Sequence, residues 1–132
     1  MAETLSAIQL IQLAQSLTRM QASLTDYELH HYPELSTAQK NKIEFSLSQL
    51  SVAAGRIYEF SVQLEFQEAE KQLQQIQGAT AGLNKFLKTA QKIQQVIDVV
   101  SSIASLADSI ISHDIGGIAN GIDQVVQILS NA

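Results

Sequence analysis

From Ile93 to Leu129 the chain is crowded with valine, isoleucine and leucine, and aspartate is the only charged residue type in that stretch. Leu83, Phe86, Ala90, Ile93, Ile97, Val100, Ala104, Ala107 and Ile111 recur at alternating spacings of three and four. At about 100° per residue that spacing draws one continuous stripe along a helix. Val96, Val99, Ile103, Leu106 and Ile110 draw a second stripe beside it, while Asp98, Ser101, Ser102, Ser105, Asp108, Ser109 and Ser112 share the remaining side. The segment is therefore an amphipathic helix whose broad apolar face needs covering on two sides.

The aspartates separate a bundle core from a membrane span. Asp98 and Asp108 would each cost roughly 2.5 to 3.5 kcal/mol at the centre of a bilayer, and about nine Ile, Val and Leu side chains at roughly 0.5 kcal/mol each barely offset that. Spontaneous insertion at neutral pH is disfavoured.

With one proline and six glycines in 132 residues, the chain has few places to turn, which favours long helices over many short strands. A chain of this length buries roughly two-thirds of its unfolded surface, enough for one domain spanning residues 1–132. The absence of cysteine removes disulfides, thiol catalysis and thiolate metal ligation. Net charge is −5 and no lysine or arginine follows Lys92, so the clustered cations that nucleic acid or anionic lipid would require are missing. Glu3 stands where a signal peptide wants a positive charge, and Gln9, Gln12 and Gln15 interrupt the apolar run after it. The expectation is a cytoplasmic protein, or one exported without a cleaved signal.

Taken in order, Leu10, Leu13, Leu17, Met20, Leu24 and Tyr27 predict a first helix, which Pro33 stops near His31 or Tyr32. Ser36-Thr37-Ala38-Gln39 fits a capping box and starts a second helix. With only Gly55 to interrupt it, that helix is expected to run from Thr37 to about Gln77, roughly 60 Å. Its stripe is Ile43, Leu47, Leu50, Ala54 and Ile57, continuing through Tyr58 into Val62, Phe66, Ala69, Leu73 and Ile76. Phe45, Val52 and Phe60 fall off this stripe, about opposite its first half, and are the candidate interface residues.

Gly78 to Gly82 is read as a hairpin, with Thr80 as the next helix cap. The narrow stripes of Gln67 to Gln77 and Asn84 to Gln95 then predict a two-stranded coiled coil projecting from the bundle. A third helix is expected to reach about Ser112, followed by a turn over His113 to Gly117 in which Asp114 is the N-cap. Ile115, Ile118, Ala119, Ile122, Val125, Val126 and Leu129 form the apolar arc of a short fourth helix. The fold predicted is all-α: an elongated antiparallel bundle of three long helices and a short C-terminal one, with a coiled-coil hairpin extension.

That layout would gather His30, His31 and His113 at one pole, near Glu28, Glu34 and Asp114, a donor set chemically suited to zinc. The spacing matches no established ligand pattern, and adjacent His30 and His31 point about 100° apart on a helix. They are read as turn and helix-terminal histidines. Glu65, Glu68 and Glu70 lie among lysines and glutamines on the expected solvent face, without the burial that tunes a catalytic carboxylate. No glycine-flanked serine elbow is present. No catalytic, cofactor-binding or metal-ligating residue is assigned.

Gly117 and Gly121 are expected to let the last helix approach its neighbour closely. As a glycine-punctuated hydrophobic hairpin, residues 93–129 resemble in type the hairpins of helical pore-forming toxins, which implies a membrane-active alternative. Every strong signal is nevertheless a packing signal. The function expected first is a non-enzymatic interaction or scaffold module that self-associates through Phe45, Val52 and Phe60 and engages a further protein partner.

Overall fold

The computed structural model describes residues 2–59 and 64–130 and is all-α apart from one pair of very short strands. Helix α1 spans Ala7–His31, α2 Thr37–Glu59, α3 Ala69–Thr89, α4 Ile93–Ile111 and α5 Ile115–Ser130. Strand β1 (Glu3–Thr4) pairs antiparallel with β2 (Glu65–Phe66), Glu3 opposite Phe66.

Local chemistry sets most of the helix starts. Ser6 and Gln9 form a capping box on α1: the Gln9 N–H donates to Ser6 Oγ at 3.2 Å and the Ser6 N–H to Gln9 Oε1 at 2.9 Å. Ser36 and Gln39 repeat it on α2, at 3.1 and 2.8 Å, as the sequence predicts. Asp114 caps α5 by accepting from the Gly117 N–H at 3.0 Å, again as predicted. Helix α1 ends at His31, and Pro33 lies in a 3₁₀ turn over Tyr32–Glu34.

Three expectations fail together. Helix α2 does not continue to Gln77; its described part ends at Glu59, and among the described residues α1 is the longest helix. Glu65–Phe66 instead form a strand, and just before it Leu5 donates its N–H to the Leu64 carbonyl at 3.0 Å. Leu64 and Phe66, at 2% and 0% exposure, are buried there, so tertiary burial outweighs the helix propensity of a segment without glycine or proline.

The second failure is the hairpin at Gly78 to Gly82, where α3 passes through without interruption. No glycine among the described residues takes a positive φ, so none supplies the left-handed residue that ends many helices. Thr80 is buried and donates its hydroxyl to the Ile76 carbonyl at 2.8 Å, satisfied within the helix it was expected to cap. The predicted coiled-coil extension is therefore absent: residues 69–77 and 84–89 lie on one helix.

Third, the predicted helix from Leu83 to Ser112 breaks at Ala90 to Lys92, where the backbone is extended. The reason is the apolar load of the following segment. Tyr27, near the end of α1, flanks the same crevice as Leu87 and Lys88 near the end of α3. A straight continuation would carry residues 93–111 about 28 Å past the end of α1, with both apolar stripes uncovered. By turning back, α4 packs between α2 and α5, and Val96, Val99, Val100, Ile103 and Ala107 become fully buried.

One reversal more than expected changes the direction of everything downstream. Leu10 of α1 lies beside Ala53 and Ile57 of α2, and Gln21 donates to the Leu47 carbonyl at 3.5 Å, so these helices are antiparallel. Helix α4 runs parallel to α2, with Asp108 beside Gln49, and Ile110 and Ile111 in the same crevice as Ala53 and Ile57. Helix α5 returns antiparallel to α4, its Gly117 against Ser109 and its Gly121 against Leu106. The close approach expected of these two glycines is realised. All five helices contribute to one hydrophobic core. The accessible surface of 7220 Å² is near the roughly 6,800 Å² of compact monomers of this mass, in keeping with the missing projection.

Candidate functional site

Helices α2 and α4 leave one face open. Phe45 is 60% exposed and Val52 40% exposed. Seven residues separate them, so they stand on one line along α2. Beside Phe45 runs a groove of about 540 Å³, whose α4 wall is made by Ser101, Ala104, Ser105 and Asp108 and whose α2 wall includes Asn41, Lys42 and Gln49. The Gln49 amide donates to Asp108 Oδ1 at 3.4 Å and ties the two walls together.

The groove follows from the residue sizes on its two walls. Helix α4 spends its large side chains on the core, which leaves serine and alanine at this rim. Helix α2 buries Ile43, Leu50 and Ala53 and presents Phe45 on its other side. A large exposed ring beside a shallow wall of small residues is the outcome. Phe60, the third candidate interface residue, lies outside the described residues. The serine side of α4 reads from sequence as plain solvent face; its run of small residues at Ser101, Ala104 and Ser105 was the available signal for a groove.

The histidines do not gather. His30 and His31 end α1, whereas His113 follows α4 and shares a crevice with Leu10, Arg56 and Ile57 at the opposite pole. The added reversal at Ala90 to Lys92 is the cause, because it inverts α4. His31 stacks on Tyr27 at a centroid distance of 4.3 Å, with its Nδ1 3.1 Å from Glu34 Oε2. His30 Nδ1 lies 2.8 Å from the Asp26 carbonyl oxygen. His113 supplies a left-handed turn, with φ 56°, between α4 and α5. Among the described residues no three histidine or carboxylate side chains cluster to hold a metal ion.

Glu65, Glu68 and Glu70 are exposed. Glu68 lies 3.3 Å from Lys71 in a surface pair, and its N–H donates to Gln72 Oε1 at 3.0 Å at the start of α3. The Glu28 carboxyl is held above the ordinary glutamate range: burial foremost, then the nearby Glu44 charge, raise its pKa, while Lys40 opposes them. Its Oε2 is buried without a hydrogen-bond partner.

Among the described residues no helix is long and apolar enough to cross a membrane. No protein-family model matches this chain, and no curated protein or solved structure matches it either.

Proposed function

We propose that this protein is a non-enzymatic helical interaction module that self-associates through the open face of α2 and α4 and presents the assembled surface to a further protein partner. The observation that carries this reading is Phe45, a phenylalanine 60% exposed at the edge of a groove of about 540 Å³. Val52 extends the apolar line along the same side of α2. Burying side chains of this size contributes roughly 1.5 to 3 kcal/mol each, a gain a monomer in water forgoes.

The membrane-active alternative draws less support, because the apolar faces of residues 93–129 are already covered by α2 and α3 or by each other. The test is light scattering on the full chain at micromolar concentration, with Phe45→Glu and Val52→Glu beside the wild type. The reading expects a wild-type dimer and folded monomeric variants. A monomeric wild type, or variants that stay dimeric, would overturn it.

A further inference from the structure

We infer that the groove between α2 and α4 docks the same groove of a second copy across a twofold axis near Phe45, setting Lys42 of each protomer against Asp108 of the other. This rests on the self-association reading and adds the register of the interface.

The charges at the groove carry the inference. It holds one cation and one anion, Lys42 and Asp108. The Gln49 to Asp108 hydrogen bond fixes the anion level with Gln49. Lys42 precedes Gln49 by seven residues, two helical turns, which places the cation about 10 Å away along the groove. Phe45 stands between the two ends.

Among the described residues neither charge has an ion-pair partner. Ion pairs among the described residues join His30 with Asp26, His31 with Glu34 and Lys71 with Glu68, and include neither Lys42 nor Asp108. A surface positive at one end, negative at the other and apolar at its centre complements itself when turned by 180°. This is the requirement of an isologous interface, in which one patch meets its own copy. A copy laid in the same direction would set Lys42 on Lys42. A partner surface of uniform charge would satisfy one end and repel the other. The α4 wall fits the same arrangement, because Ser101, Ala104 and Ser105 leave depth for Phe45 of the partner subunit.

Charge reversal on the full chain tests the register. Lys42 and Asp108 are both exposed, so circular dichroism of the variants should overlay the wild type. In sedimentation at low salt, Lys42→Glu and Asp108→Lys should each raise the dimer Kd about tenfold, since each breaks two symmetry-related rim pairs. The double variant, Lys42→Glu with Asp108→Lys, should return to within about twofold of wild type. Lys42→Gln should also flatten the salt dependence of dimerisation, and an unchanged dependence would count against the pairing. A wild-type dimer whose double variant is no tighter than the singles overturns this register and leaves self-association standing. A wild type monomeric at every concentration overturns both.

Discussion

Gly121 of α5 lies so close to Leu106 of α4 that a Cβ at the glycine would stand 3.1 Å from the leucine Cα and 3.2 Å from its Cβ. The obstacle is the backbone of a helix buried on two sides, which has little room to yield. Alanine in a helix interior gains about 1 kcal/mol over glycine, but overpacking a well-packed contact typically costs about 1 to 3 kcal/mol. Gly121→Ala is therefore expected to lower stability by about 1 kcal/mol in urea unfolding. A variant more stable than wild type would show that the two helices stand further apart.

Gly78 makes the opposite case. It is exposed within α3, and an added Cβ would meet nothing within 4 Å. Gly78→Ala should raise stability by roughly 0.5 to 1 kcal/mol. The same substitution discriminates the two readings of this segment, because a glycine ending a helix in the left-handed conformation would be destabilised by alanine. A loss of melting temperature in Gly78→Ala would restore the hairpin and remove the continuous α3.

Phe66 tests the strand pair. Its side chain is fully buried beneath the ribbon formed with Glu3 and Thr4. Phe66→Ala should cost about 3 to 5 kcal/mol, as expected for a buried aromatic. A cost below about 1 kcal/mol, read from the urea midpoint, would mean that residues 64–66 are not seated in the core.

Glu28 supplies a pH dependence with a defined sign. Its pKa is raised chiefly by burial and next by Glu44, so near its titration range the folded state holds more proton than the unfolded state. Stability should then fall as pH rises from the ordinary glutamate range through the raised one. Glu28→Gln should remove this dependence, and Glu44→Gln should weaken it. Melting temperatures across mildly acidic pH measure the effect; parallel profiles for wild type and Glu28→Gln would show that Glu28 titrates normally.

Much of the local structure was legible because it depends on neighbours in sequence. The cap residues Ser36 and Asp114, the stop at Pro33 and the buried stripe Leu13, Leu17, Met20, Leu24 and Tyr27 are each set by the backbone chemistry of one or two turns. The strand at Glu65–Phe66 also left a sequence signal that the helical reading overrode. Phe60, Val62, Leu64 and Phe66 alternate with Ser61, Gln63, Glu65 and Gln67, a period of two. Counting Val62 and Phe66 into a stripe with period 3.6 concealed it.

By itself the sequence determined that the chain is helical, that residues 93–111 must be covered on two sides, and that Phe45 and Val52 stand off the core stripe of α2. Those properties follow from periodicity along single helices. Only the tertiary structure decided where the chain reverses between α2 and α4. Gly78 to Gly82 offers glycines yet stays helical, whereas Ala90 to Lys92 has neither glycine nor proline and turns. The difference is the burial gained when α4 folds back between α2 and α5, a non-local term absent from any local signal. That reversal also separates His113 from His30 and places Asp108 beside Gln49, so it decided which side chains share a surface.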